Sequence, residues 1–374
     1  MASPRLSEAM AREAVEAVRQ HGSVMAAARA MEIPRGTLEG RLRAARLQGI
    51  EPGVIVHPAP AGHRVKGVST LYDAGGNIAA QWVKTAQDGL DIEEVIATLR
   101  GAFEEYTRPG PPSPPPVDAD SSLATIFPVS DAHFGLYAHA AEAGEDYDLK
   151  IADSTNRAAF ARLMASTPPS GQAVILGLGD LLHGDDSTNR TPQSGHTLDV
   201  DTRYGKVLQV AILYLIHAVD LALSRHARVI VRNLAGNHDP HASLAVTMAL
   251  WAWYRSEPRV TVDTDPSYFW WWRFGSTLLG ATHGDQAKMA QLPLVMAASR
   301  PVDWGQTKHR LVLTGHVHHK SAIETGGVIV ESFQSTAARD AWHSAAGFRS
   351  GRSMTSITLH HERGEIARSR VNIG

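Results

Sequence analysis

Five times after residue 122, a short apolar run breaks off in Asp, Asn or His with a glycine nearby: LATIFPVSDAH, AVILGLGD, RVIVRNLAGNHD, STLLGATHGD and RLVLTGHVH. Apolar, β-branched runs of this length suit buried strands, and polar residues just past their ends can converge at one edge of a sheet. Between the runs, apolar positions at helical spacing occupy roughly residues 148–164, 202–224 and 242–253. The pattern therefore predicts an alternating α/β layout. After His318, GVIVESF and SMTSITLHHERGEIARSRVNI return to strands, the latter a predicted hairpin turning at Arg363 and Gly364.

The first hundred residues read differently. Met10, Ala14, Ala17 and Val18 follow helical spacing, as do Val24, Ala27, Ala28 and Met31, with Ser23 placed to cap the second helix. A third helix from about Arg35 turns Leu38, Leu42 and Ala45 inward and leaves Arg35, Arg41, Arg43 and Arg46 pointing elsewhere. This resembles a helix-turn-helix whose arginine-rich third helix reads DNA; a trihelical packing or oligomerisation module is the alternative. Residues 1–50 carry eight Arg against five Glu, a modest basic excess. Two strands are then expected within residues 65–85, around a turn at Asp73 to Asn77. A helix capped by Asp91 follows, its stripe of Ile92, Val95, Ile96, Leu99, Phe103 and Tyr106 expected to pack on the hairpin or a partner chain. RPGPPSPPPVDADSS, Arg108 to Ser122, reads as a semi-rigid spacer. The expected organisation is a helix-turn-helix-like module at 1–50, a hairpin-and-helix accessory module at 51–107, a Pro-rich linker at 108–122 and a catalytic domain at 123–374.

Composition narrows the class. The chain has 374 residues, 43% hydrophobic and 20% charged, the profile of a globular protein. No stretch reads as a signal peptide or approaches a membrane span, so a cytoplasmic protein without membrane contact is expected. A formal charge of -2 offers no global attraction to nucleic acid, so any basic surface must be local. With no cysteine and 19 histidines, a metal site would have to use His, Asp, Glu or Asn.

Asp131 and His133 are two apart, which in extended chain places both on one side. By the same rule His316 and His318 of TGHVHH share a side, and His319 points away. The carboxylate of Asp180 could bridge two cations, and Asn237 offers a neutral oxygen. His283 and the His316–His318 pair complete a set of oxygen and nitrogen ligands. Any one of these alone would more often be an ordinary hydrogen-bonded residue. Five separated motifs, each at the end of a strand-like run, point instead to two metals.

SDAH, GD at Gly179 and Asp180, GNHD, HGD at His283 and GHVH resemble, in order and spacing, the five signature motifs of the calcineurin-like metallophosphoesterases, and in particular their DNA-repair exonuclease branch. The resemblance covers roughly residues 123–374 and implies a two-sheet α/β sandwich flanked by helices. It implies that Asp131, His133, Asp180 and His318 bind one divalent ion and that Asp180, Asn237, His283 and His316 bind the second. Manganese is the ion it suggests, with iron(II) or zinc compatible with the ligand types. A metal-bridging hydroxide would attack the phosphoester, His238 would protonate the leaving oxygen, and Asp239 would orient His238. The region after Asp180, LLHGDD, departs from many members and leaves His183 and Asp185 without a role.

YFWWWRFG, Tyr268 to Phe274, is expected to be a strand with at least one face in the core. His217 and His226 are read as packing or surface residues, while His241, Arg203, Lys206, His343, Arg349 and Arg352 could reach a substrate. The function expected is phosphodiester hydrolysis, with DNA as substrate and partner. The alternatives are a phosphodiesterase or phosphatase on a cyclic nucleotide, another small phosphoester or a phosphoprotein, and a non-catalytic DNA-binding or scaffold protein. A homo-oligomer is compatible with either role of the N-terminal module.

Overall fold

A computed structural model of the chain describes residues 7–21, 23–47, 50, 63–72, 78–87, 101, 103, 104, 106 and 116–374. The chain divides into two compact units, Met1–Asp91 and Ile92–Gly374.

In the first unit, helices α1 (Glu8–His21), α2 (Val24–Ala30) and α3 (Arg35–Leu47) pack through Ala14, Ala27, Ala28 and Leu38. Alanines at the contacts let the helices approach closely. Ser23 caps α2, its hydroxyl accepting from the Ala26 amide at 3.1 Å. Arg35 and Arg43 are exposed, and Arg35 pairs with Glu39 on its own helix. Arg41 is partly buried and lies 3.9 Å from the exposed Glu13 of α1. Strands β1 (His63–Tyr72) and β2 (Ile78–Gln87) form an antiparallel hairpin. The Arg46 side chain, the hairpin turn at residues 73–77, the Asp91 cap and residues 107–115 of the spacer lie outside the described residues.

The second unit is an α/β sandwich of two mixed sheets. The larger has the order β13-β12-β3-β4-β5-β6, with β3 (Asp120–Val129), β4 (Ser170–Gly177), β5 (Arg228–Asn233) and β6 (Val260–Asp263) parallel. The hairpin of β12 (Arg352–His360) and β13 (Gly364–Ile373) adds antiparallel to β3. The smaller sheet has the order β10-β11-β9-β8-β7. In it β8 (Thr277–Thr282), β9 (His309–Thr314) and β11 (Val328–Ser332) run parallel between the antiparallel edges β7 (Trp270–Phe274) and β10 (Ser321–Thr325). The end of the expected spacer, Asp120 to Ser122, is already part of β3.

Strand alternation builds the layers. Ala124 and Ile126 of β3, with Val174 and Leu176 of β4, face Leu279, Ala281, Leu311 and Leu313 of the other sheet. Phe127, Val129, Ala173 and Ile175 face the opposite way, onto helices. Those are α5 (Leu149–Ser166), α6 (Tyr204–Leu223) and α7 (Ala242–Tyr254), preceded by the short α4 (Ala140–Ala143). Helices α8 (Leu292–Ser299) and α9 (Pro301–Gln306) follow β8, and α10 (Ala341–Ala345) follows β11. Leu292 and Met296 of α8 cover the outer face of the small sheet.

Both faces of the tryptophan-rich strand are packed. Trp270, Trp272 and Phe274 stack in series inside the sandwich, and Phe269 and Trp271 join the cluster under α8. Phe103 stacks on Trp253 of α7 at 5.2 Å, and the Tyr106 hydroxyl donates to Asp220, so these two members of the predicted stripe pack on helices of the second unit. Helix α6 corrects a second expectation. It is long and apolar enough by composition to cross a membrane, but eleven of its residues are buried in the core, which accounts for its hydropathy.

One ion pair ties the two sheets together. Arg368 of β13 donates to both carboxylate oxygens of Glu331 of β11 at 2.6 Å, and Glu331 is buried. Removing the arginine would strand a desolvated carboxylate. Arg368→Met is expected to destabilise the protein by about 2 kcal/mol, discounted from the usual cost of breaking a buried pair because the arginine is partly exposed. The double change Arg368→Met with Glu331→Gln should recover most of that loss, as read by urea unfolding.

Candidate metal centre

The five apolar runs end at one edge of the sandwich. Past β3 come Asp131 and His133; past β4, Asp180; past β5, Asn237 and His238; past β8, His283; past β9, His316 and His318. Three of these loops leave the large sheet and two leave the small one. Backbone bonding continues beyond the strands: the Leu178 amide donates to the Val129 carbonyl at 2.8 Å, His133 to Asp180 at 3.0 Å and Gly315 to His283 at 2.8 Å.

The backbone there is unusual. Asp131, His133, Asp180, His316 and His318 have φ of 48°, 43°, 52°, 68° and 55°, and they are five of the seven non-glycine residues with positive φ among the described residues. Such conformations cost about 1 kcal/mol each and persist where the surroundings over-determine them. The extended-chain argument for Asp131 with His133 and for His316 with His318 is thereby corrected: neither pair lies in a strand, and both members of each have left-handed backbone. Close approach also needs glycine. A Cβ on Gly236 would overlap the Asp180 backbone nitrogen and carboxylate, and one on Gly179 would overlap the His283 ring.

Two groups of side chains result. In the first, His318 Nε2 lies 3.3 Å from Asp131 Oδ1 and 3.1 Å from His133 Nε2. In the second, His283 Nε2 lies 3.2 Å from Asp180 Oδ2 and 3.0 Å from Asn237 Oδ1, and the ligand atoms of Asp180, His283 and His316 all fall within 4.8 Å of one another. Asp180 Oδ2 also faces His133 Nε2 at 3.9 Å, so this carboxylate stands between the groups.

The donor set fits cations. His283 Nδ1 donates to the Leu178 carbonyl at 2.8 Å, which leaves Nε2 facing two oxygens, an arrangement that requires a proton or a cation between them. Burial alone would lower the His283 pKa, but the Asp180 charge outweighs it and raises it to about 10. Conversely, burial would raise Asp180, and the neighbouring His283 holds it well below the usual carboxylate range. Burial, then His238, push His133 well down, so its ring is neutral and keeps a lone pair. Ionised carboxylates, an amide oxygen and imidazoles, some neutral and some offering a ring nitrogen once a cation replaces the proton, all buried or half-buried, suit divalent first-row metals.

The other expected residues fall into place around this cluster. His238 sits beside it, with its Nδ1 donating to the His183 carbonyl at 2.9 Å and its amide donating to Asp180 Oδ1 at 2.8 Å. Asp239, expected to orient His238, instead turns its carboxylate to backbone amides. Its buried carboxylate accepts from the amides of Gly236 at 2.9 Å, Leu182 at 3.1 Å and Asp180 at 3.2 Å, binding two loops together. Burial and the Asp180 charge raise its pKa to about 7. The ring of His238 is instead oriented by backbone, at His183.

His183 had no assigned role and proves central. It is buried, its Nδ1 lies 3.2 Å from His133 Nδ1, its ring stacks on His238, and its Nε2 has no hydrogen-bond partner. Burial, then His238, lower its pKa to about 3. Its position three residues after Asp180 was the available signal. Asp185 accepts from the amides of His241 and Ala242 at the start of α7, leaving the His241 ring largely exposed. Arg352 is engaged with Glu145 and the Thr336 carbonyl, and Arg349 with the Ser344 and Phe348 carbonyls. His319 is exposed and donates to the Val317 carbonyl, away from the cluster.

No protein-family model and no curated protein matches this chain. Solved structures similar to it include an archaeal phosphodiesterase (13% identity, TM-score 0.34, covering 67% of this chain and 99% of that one). A dimetal phosphatase from Danio rerio is 9% identical, with TM-score 0.36 and coverage of 66% and 98%. A zinc complex of Vps29 from Entamoeba histolytica is 12% identical, with TM-score 0.28 and coverage of 66% and 98%. Similarity at this level assigns no chemistry, which rests on the geometry of the site itself.

Two substitutions test that geometry. His319→Ala should retain the native divalent-metal content, whereas Gly236→Ala, which drives a methyl group into Asp180, should lose most of it while the fold persists. Metal analysis of the purified variants beside their circular dichroism decides this, and loss of metal in His319→Ala would contradict the geometry.

Proposed function

We propose that this chain is a dinuclear-metal-dependent phosphoesterase that hydrolyses phosphodiester bonds, with DNA as its substrate. The observation that carries the reading is the convergence of seven ligand-type side chains from five strand-end loops, with a further histidine, His238, held beside them by backbone. Asp131, His133, Asp180 and His318 would hold one ion, and Asp180, Asn237, His283 and His316 the other. Bound divalent cations would neutralise charge on the phosphoryl oxygens and lower the pKa of attacking water.

The remaining chemistry belongs to the protein. Asp180 keeps its negative charge between the two groups because His283 stabilises it. His238, with Nδ1 committed to the His183 carbonyl, presents Nε2 to the leaving oxygen and transfers a proton to it. Asp239 fixes the loop that carries Asn237 and His238 against the loop that carries Asp180. Manganese is the proposed metal, and iron(II) and zinc suit the same ligands. The three-helix unit is proposed to deliver DNA through Arg35 and Arg43 in a helix-turn-helix arrangement. Arg41 offers much less exposed surface than Arg35, which weakens one expected contact and favours, as second reading, a phosphodiesterase or phosphatase acting on a small ester.

His238→Asn is expected to keep the metal content and lower kcat by two to four orders of magnitude, roughly the usual weight of a positioned proton donor, whereas Asp180→Ala should lose metal and activity together. Equal metal loss in both would remove His238 from the catalytic role. In manganese, the full chain should cleave single-stranded or duplex DNA as well as bis-p-nitrophenyl phosphate. Arg35→Ala with Arg43→Ala should weaken only DNA cleavage and flatten its salt dependence. Hydrolysis of the small ester without any cleavage of DNA would establish the second reading.

A further inference from the structure

Helix α10 stands against the metal-type cluster and carries an aromatic group outward from it. Asp340 caps the helix, accepting from the His343 amide and from His343 Nδ1, both at 2.7 Å. The anchored His343 ring stacks on His318 at 5.2 Å between centroids. Beyond it, Trp342 meets His343 edge-on at 4.9 Å and stacks on Phe348 at 5.8 Å, and Phe348 also touches His343 at 5.5 Å. Yet Trp342 is 65% exposed and Phe348 is 45% exposed.

The exposure is built in. Gly347, with φ of 83°, reverses the chain, and the Phe348 amide donates to the His343 carbonyl at 3.1 Å. Guanidinium groups of Arg349 and Arg339 donate to the Phe348 carbonyl at 2.9 and 3.3 Å. These braces hold two large rings in water beside a polar centre, where burying them would have been favourable. Two ring-to-ring steps, of 5.2 and 4.9 Å, connect the proposed ligand His318 with Trp342. That reach is comparable with the separation of a nucleotide's phosphate from its base.

We propose that Trp342 and Phe348 form a stacking platform for a nucleobase adjoining the phosphoester held at the metal centre. The proposal rests on the phosphoesterase reading and deepens it, because it assigns a place to a base beside the phosphoester. Stacking on an aromatic face is tolerant of base identity, since every base presents a π-face. The exposed Arg349 and the partly buried Arg339 flank the platform, and their positive charge suits the phosphates that accompany a base.

The test uses the full chain freed of metal, so that nothing is cleaved, and reads binding by fluorescence anisotropy. The probes are a labelled single-stranded oligothymidylate and an abasic oligomer of the same length. The native chain should prefer the base-bearing strand by about tenfold, equivalent to about 1.4 kcal/mol of stacking. W342A and F348A should each bring that ratio toward unity, and W342F should keep most of it. Thymidine monophosphate as competitor separates the two sources of the base: displacement of the strand assigns the platform to free nucleotides, and failure to displace assigns it to a base within a strand. A native ratio near one, or a ratio unchanged in W342A and F348A, overturns the proposal. Failure of the phosphoesterase reading would show separately, as absence of hydrolysis of any ester by the manganese-loaded native chain.

Discussion

Five of the seven ligand-type side chains reach their common meeting place because the backbone beneath them leaves its strands in a left-handed conformation. Asp131, His133, Asp180, His316 and His318 all adopt that conformation, and each is overruled locally by what surrounds it. The restraint comes from neighbours: the amides bound to the Asp239 carboxylate, the ladder that continues past β3 and β4, and the glycines at 179 and 236 that let loops approach to contact. The sandwich core supplies the free energy that keeps these loops in place, and the site concentrates the strain.

Electrostatics follow from that geometry. Bringing Asp131, Asp180 and Asp239 together out of water is unfavourable unless each charge is answered. Asp180 is answered by His283, Asp131 by His318 and the His316 amide, and Asp239 by three amides, whose hold is partly offset by the nearby Asp180 charge. His133 and His183 are pushed the other way and stay neutral. A buried site with ionised carboxylates, neutral rings at His133 and His183 and an unpaired ring nitrogen at His183 is arranged to receive positive charge.

Much of this was legible in the sequence, because strand ends followed by Gly, Asp, Asn and His carry both the topology and the chemistry. The runs ending at Val129, Gly177, Asn233, Thr282 and Thr314 announced the strands, and the helices at 149–166, 204–223 and 242–254 lie close to where apolar spacing put them. Ser23 was readable as a cap because the rule is local. Long-range choices were not readable. Nothing in the order of residues says that Asp239 serves amides 57 and 59 positions earlier while a carbonyl at His183 serves His238. The apolar composition of α6 resembles that of a membrane span, and only its burial among α5, α7 and the sheet separates the two. The strand alternation applied to Asp131 and His133 grouped the right atoms for an incorrect backbone reason.

The division of the site between two sheets has a mechanical meaning. Asp131, His133, Asp180 and Asn237 belong to loops of the large sheet, and His283, His316 and His318 to loops of the small one. Arg368 and Glu331 form a second crossing between the layers. The cluster therefore works as a vernier: a slip of one sheet past the other by a fraction of a strand repeat would pull the donor atoms out of alignment while leaving each hydrophobic layer intact. Catalytic competence would then report on the alignment of the sandwich more finely than global unfolding can.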